Sequence, residues 1–240
     1  MRIKCTVSYD GTNFCGYQKQ PGLRTVQDEL EKAVSCLNKK PTGIISASRT
    51  DAHVHAKGQV FCFDSDYDIP PRGWKNGFNS LLPKDIYISN VEIVDDKFHA
   101  RFDVKWKEYH FLINMGEYDP LMGNYMTFHH NLDVEKMQNA AKKLIGTHDF
   151  KAFSTDYHKE NTVRTIFEAR LDRMDDILIF KIKGDGFLKY MVRRIVGTLV
   201  EIGNHRIEGS IIDEALENPQ TVEVGKTELA NGLYLIKVEY

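Results

Sequence analysis

Two charged residues of opposite sign stand close together in the segment 45–60, where Arg49 precedes Asp51 by two positions. A carboxylate can act as a nucleophile or as a general base, and a neighbouring cation favours its ionised form. His53 and His55 follow, and alternate residues of a strand share one face, which suggests a metal site. Two ligands are too few for such a site, so we expect no metal.

The residues after Asp51 predict a loop that leads directly into a strand. Val60, Cys62 and Asp64 alternate with the aromatic residues Phe61 and Phe63. This alternation is typical of a strand with one buried face. Loops held on a rigid sheet often carry catalytic groups. Taken alone, however, an aspartate on a loop is most often a cap or a turn residue, so the rest of the chain must decide its role.

The remaining chain predicts two rounds of strands and helices. In the first round we expect strands at 3–9, 86–94 and 98–104, a helix capped by Thr25, and a helix at 70–82. In the second we expect strands at 163–166, 177–182 and 232–240, a helix capped by Asp133, and a helix at 187–202 on which Lys189, Arg193 and Gly197 share a face. This order predicts an α+β fold of two similar halves, residues 1–108 and 109–240.

Composition indicates an ordinary globular protein of 240 residues, with 42% hydrophobic and 28% charged residues. No apolar run approaches membrane-spanning length, and the start of the chain is too short and polar for a signal peptide, so we expect a cytoplasmic protein without membrane contact. The four cysteines form no C-x-x-C pair, which favours reduced thiols.

The net charge of −2 argues weakly against a nucleic-acid partner. The segment 181–206 is nevertheless basic, because only Asp185 and Glu201 oppose its cations, which are Lys181, Lys183, Lys189, Arg193, Arg194 and Arg206. One basic face is enough to bind RNA. On charge alone, a solvated helix surface explains the segment equally well.

Several motifs in order resemble one family. Arg49–Ala52, Val54–Ala56 and Gly58–Val60 resemble the catalytic motif of the TruA family of tRNA pseudouridine synthases. Further stretches match the same family over nearly the whole chain: 9–20 (with Tyr17 where tryptophan is more usual), 98–102, 107–111, 146–154 and 190–197.

The resemblance implies an isomerase that converts uridine to pseudouridine in the anticodon stem-loop of tRNA, at positions 38, 39 and 40. The reaction breaks the bond from ribose C1′ to N1, rotates the uracil and rejoins it through C5. No atom is lost and no redox change occurs, so we expect no cofactor. The family also implies a homodimer and two mainly antiparallel sheets joined into one, with helices on one side and a cleft between the halves.

The resemblance further implies residue roles. Asp51 is the catalytic carboxylate, and whether it attacks the sugar, attacks the base or removes the C2′ proton stays open. Arg193 pairs with Asp51, Tyr109 stacks on the uracil and can relay its C5 proton, and Arg49 holds the nucleotide out of the stack. The expected substrate-binding residues are Arg49, Tyr109, Gln59, Tyr17, Gln18 and Lys189.

The chain departs from the family around the active loop. It has Ser48 and His53 where glycine is usual, and it has no proline within 227–230. These departures leave open which uridines, and in which tRNAs, are modified. Two other functions also stay open: a non-catalytic RNA-binding or RNA-folding protein, and a metal-dependent hydrolase that would lose activity in a chelator.

Overall fold

The computed structural model describes residues 1–156 and 158–240, which separate into two compact units. The first unit comprises Met1–Lys105 and Tyr234–Tyr240, and the second comprises Trp106–Leu233. The sequence predicts halves of 1–108 and 109–240, whereas the structure assigns the C-terminal strand to the first unit. It does so because that strand pairs in parallel with an interior strand of the first unit.

The first unit contains five strands and two helices. The strands are β1 (Arg2–Tyr9), β2 (Ile45–Ser46), β3 (His55–Asp64), β4 (Ile86–Val94) and β10 (Leu233–Glu239), and the helices are α1 (Val26–Leu37) and α2 (Pro71–Leu81). The strand order is β4-β1-β3-β10, with β2 paired to β3, and only the β3–β10 pair is parallel. Aromatic rings of β3 and α2 pack edge to face in the core: Phe61, Phe63, Trp74 and Phe78.

The second unit contains the remaining strands and α-helices of the described residues. They are β5 (Trp106–Asn114), β6 (Thr127–Phe128), α3 (Val134–Lys142), β7 (Gly146–Asp149), β8 (Val163–Met174), β9 (Ile177–Gly184), α4 (Met191–Gly203) and α5 (Ile211–Glu217). The order β5-β9-β8-β7 is antiparallel throughout, and β6 pairs in parallel with β5. The predicted α+β class with mainly antiparallel strands is confirmed.

The predicted strand at 98–104 is wrong. The His99 Nδ1 accepts the backbone N–H groups of Arg101 and Phe102, and Asp103 accepts the N–H of His99. Because these donors are satisfied locally, the segment forms a turn and joins no ladder.

This turn also explains a second error, the expectation that β3 buries only one face. Residues on both faces of β3 are buried from Gly58 to Phe63. The Cys62 thiol lies within hydrogen-bonding reach of the Ala100 backbone, and Ala100 is itself fully buried. The turn therefore covers the face of β3 that was expected to meet solvent.

The fourth helix starts later than predicted. Tyr190 has φ +61°, a left-handed conformation that cannot continue a right-handed helix, so α4 begins at Met191 instead of residue 187. Lys189 precedes the helix, and its predicted shared face with Arg193 and Gly197 is wrong.

The two predicted helix caps differ in outcome. Asp133 caps α3 as predicted, because its side chain accepts the N–H of Lys136 at 3.0 Å. Thr25 stands at the N-cap of α1, but its buried hydroxyl has no hydrogen-bond partner among the residues that the structure describes. In the described part of the chain, no helix is both long enough and apolar enough to cross a membrane.

Candidate active site

The loop 47–54, which carries Asp51, is bound to β3 by the N–H of Ala47, which donates to the Val60 carbonyl at 2.8 Å, and by the amide side chain of Gln59. Gln59 donates from Nε2 to the carbonyl oxygen of Ser48 at 2.8 Å, and its Oε1 accepts the N–H of Val60 at 3.1 Å. Gln59 is 0% exposed. In the free protein this fully buried side chain holds the loop, and the expected substrate contact by Gln59 stays a prediction.

The segment 9–20, the first motif along the chain, also contacts this loop. The N–H of Tyr17 donates to the Thr50 carbonyl at 3.0 Å, and the Tyr9 and Thr50 hydroxyls are 2.8 Å apart. Gly16 has φ +92°, and a Cβ there would lie 3.1 Å from the Thr50 oxygen. Tyr17 is fully buried and holds the loop through its backbone N–H, and its expected RNA contact stays a prediction.

The two histidines beside Asp51 do not share a strand face. His53 precedes β3 with φ +65°, and its Nδ1 lies 2.8 Å from the Thr12 carbonyl. The His55 Nδ1 accepts the N–H of Gly11 at 3.0 Å and lies 3.2 Å from Asp10 Oδ1. The geometric premise of the metal interpretation is therefore wrong. A positive φ also explains why glycine suits the position of His53.

Solvent reaches only some of the residues predicted to act from the first unit. Asp51 is half-buried, while Arg49 and Gln18 are exposed. The structure thus presents a partly shielded carboxylate on a well-held loop, with an exposed guanidinium two residues before it.

In the second unit, Tyr109 lies on β5 opposite Ile182 of β9. Its ring meets that of Phe187 edge to face, with centroids 5.0 Å apart and planes at 78°. Tyr109 is only 5% exposed, so any stacking on a base would use a small accessible part of the ring. Phe187 fixes the orientation of that ring.

Arg193 is held on α4 by a reciprocal pair of backbone contacts. Its Nε donates to the carbonyl oxygen of Glu228 at 2.8 Å, and its own carbonyl accepts the N–H of Glu228 at 3.1 Å. The guanidinium carbon also lies 4.9 Å from the centre of the Tyr190 ring. The plane of the guanidinium is therefore set from two directions.

The Glu228 side chain turns inward and is 12% exposed. One oxygen lies 3.0 Å from His129 Nε2, and the other accepts the N–H of Leu229 at 2.9 Å. Burial acts to raise the pKa of Glu228. The hydrogen bonds from His129 and Leu229, together with the charges of His129 and Arg193, outweigh burial and leave the pKa below the ordinary value of 4.5.

The cations of the basic segment 181–206 have different surroundings. Lys181 makes an ion pair with Asp172 at 2.8 Å, and the Lys183 ammonium lies 3.9 Å from the centre of the Trp106 ring. Lys189 is exposed.

Arg194 is half-buried, and its Nε is buried without a hydrogen-bond partner among the described residues.

Sequence reasoning missed the Glu228–His129 pair. The two residues are separated by 99 positions, and neither lies in a motif, so only the fold brings them together. The sequence does indicate a structural role for Gln59, because this polar residue is followed directly by the apolar core of β3.

Comparisons with known proteins agree with the motifs. A family profile described as tRNA pseudouridine synthase matches residues 6–103 and 140–240. The chain is 44% identical to tRNA pseudouridine synthase A of Bacillus licheniformis and to that of Bacillus subtilis, in each case over 100% of this chain and 99% of the relative. It is 43% identical to tRNA pseudouridine synthase A of Acetivibrio thermocellus, over 99% of both chains. The chain belongs to the TruA family of tRNA pseudouridine synthases, which are isomerases.

Proposed function

We propose that this enzyme isomerises uridine to pseudouridine in the anticodon stem-loop of tRNA, at the three positions named above, with Asp51 as the catalytic carboxylate. The observation that supports this most is the way the Asp51 loop is held. Gln59 binds it from β3, and the first motif binds it through Thr50. A reacting group must be fixed in position before substrate binds, and second-layer hydrogen bonds of this kind provide that.

The proposal gives the remaining residues distinct tasks. Arg193 supplies the positive charge that keeps the carboxylate ionised beneath a bound nucleotide. Arg49 holds the target nucleotide outside the stack, since its ribose is unreachable within a helix. Tyr109 contacts the uracil. Gln18 and Lys189, both exposed, contact the RNA around it.

The chemistry conserves every atom of the nucleotide. The C1′–N1 bond breaks, the uracil turns, a C1′–C5 bond forms, C5 releases its proton to solvent, and N1 takes up a proton from solvent. The proposed mechanism therefore needs no metal or redox cofactor. We further propose that the enzyme acts as a homodimer in the cytoplasm, where mature tRNA is found; light scattering of the purified protein tests the dimer.

Mapping of pseudouridine in tRNA from cells with and without the gene tests the proposed function. We expect the anticodon stem-loop signals to disappear without the gene, to return with the wild-type gene, and to stay absent with an Asp51→Asn gene. A non-catalytic RNA-binding protein would leave the signals unchanged in all three strains. Signals lost elsewhere in tRNA would contradict the proposed target region.

A further inference from the structure

The segment 225–231, here called the strap, lies directly on helix α4. The N–H of Gly225 donates to Thr198 Oγ1 at 3.1 Å. A Cβ at Gly197 would lie 1.7 Å from the carbonyl oxygen of Lys226, so only glycine permits this approach. The strap is thus in backbone contact with the helix that carries the proposed catalytic arginine.

The far end of the strap is bound to a different part of the second unit. Asn231 donates from Nδ2 to the carbonyl oxygens of Gly123 at 2.7 Å and Met126 at 2.9 Å. No proline lies in the strap, so no ring restricts its φ angles. Other contacts must fix the middle of the strap, where Glu228 lies.

Glu228 touches Arg193 with its backbone and His129 with its side chain. A carboxylate that is 12% exposed is costly unless its oxygens are paired. Both oxygens are paired, one with His129 Nε2 and one with the Leu229 N–H. The side chain therefore ties the strap to the residue that follows β6, while the backbone binds α4.

We infer that Glu228 is a positioning residue: bound to His129, it holds the strap carbonyl that accepts Arg193 Nε and so fixes the plane of the Arg193 guanidinium. This inference rests on the proposed role of Arg193 in the isomerisation. A planar guanidinium pairs with a carboxylate through two parallel hydrogen bonds only when its plane is correctly turned. Glu228 would set the orientation of the guanidinium plane without touching the substrate.

Single-turnover kinetics on radiolabelled tRNA test the inference with three variants. Glu228→Ala should lower the rate by about tenfold to a hundredfold, the scale expected for a small displacement of a reacting group, with little change in tRNA affinity. Glu228→Gln keeps the length and the acceptor oxygen, so it should recover most of the rate. The matched control is Glu223→Ala, an exposed glutamate just before the strap, which should behave as the wild type.

A double-mutant comparison separates this inference from the proposed function. Arg193→Lys should be slow, and adding Glu228→Ala to it should cost little more, because both changes disturb one unit. If Arg193→Lys is slow but Glu228→Ala alone is normal, the positioning role is overturned and the role of Arg193 stands. If Arg193→Lys is itself normal, the proposed role of Arg193 fails and the inference falls with it.

The Arg193 Nε–Hε resonance in a ¹⁵N spectrum gives a readout that does not depend on activity. The resonance is assigned by its absence from Arg193→Lys. Glu228→Ala should shift it and speed its exchange with water, and Glu223→Ala should not. An unchanged resonance in Glu228→Ala would overturn the inference, even if that variant were slow.

Discussion

The Gln59 amide and the Ser48 carbonyl oxygen are joined by a hydrogen bond of 2.8 Å. This bond connects the interior of β3 to the loop that carries Asp51. Because Gln59 is fully buried, the bond is shielded from water, and its loss would leave a carbonyl group without its partner.

Gln59→Met should therefore lower the free energy of unfolding by about 1–3 kcal/mol. It should also slow single-turnover pseudouridine formation more than it weakens tRNA binding, since the loop would lose its fixed position. Chemical denaturation, binding and rate measurements on one preparation check both effects.

The matched control is Asn79→Leu. Asn79 makes a similar amide contact with the backbone of Ile88, at 3.0 Å and 2.8 Å, away from the loop. It should lose comparable stability and keep its rate at a temperature where both variants are folded. Equal rate losses in the two variants would show that the Gln59 contact has no specific effect on the loop.

Local patterns in the sequence were sufficient for much of this architecture. The loop at Asp51, the strand after it and the Asp133 cap follow from turn signals, alternation and capping chemistry, all of which act over a few residues. The candidate carboxylate could be identified because its motif is contiguous.

The remaining features depend on local hydrogen bonds that compete with regular structure, or on contacts between residues far apart in the sequence. His99 and Asp103 capture backbone donors that a strand would need, and the left-handed Tyr190 delays α4. Apolar periodicity does not report either effect. The burial of Gln59 and the contact between His129 and Glu228 arise only when distant segments pack.

Arg193→Lys should lower the single-turnover rate by about 100-fold with little change in tRNA affinity. Lysine has no Nε to donate to the Glu228 carbonyl and cannot form a planar two-point contact with a carboxylate. Tritium release and filter binding on one labelled tRNA measure the two quantities.

The control for this change is Arg194→Lys, on the next position of α4, which should keep its rate. A larger rate loss for Arg194→Lys than for Arg193→Lys would mean that the wrong arginine has been assigned to the chemistry.

Lys189→Ala should weaken tRNA binding and reduce the slope of log affinity against log salt by about 1, as expected for one lost phosphate contact. Lys189 is exposed, whereas Lys181 already pairs with Asp172. Lys181→Ala should therefore change the slope less. Identical slopes for wild type and Lys189→Ala would place the phosphate contact elsewhere.

The stability that the Glu228 carboxylate contributes should depend on pH in one direction. Its folded-state pKa lies below the ordinary 4.5, so the ionised form is favoured by folding. The contribution is present above pH 4.5 and is lost as the pH falls through the folded pKa. The difference in unfolding free energy between wild type and Glu228→Gln should shrink in acid; a difference that grows in acid would contradict this sign.

The most direct test of the account is pseudouridine formation by purified Asp51→Asn and Asp51→Ala. The substrate is tRNA labelled with tritium at uracil C5, and tritium release reports the reaction. We expect a loss of at least about 10⁴-fold in rate for both variants, with melting temperature and tRNA affinity close to wild type, and a normal rate for the exposed control Asp96→Asn. Substantial tritium release by Asp51→Ala would contradict the assignment of Asp51 as the catalytic carboxylate.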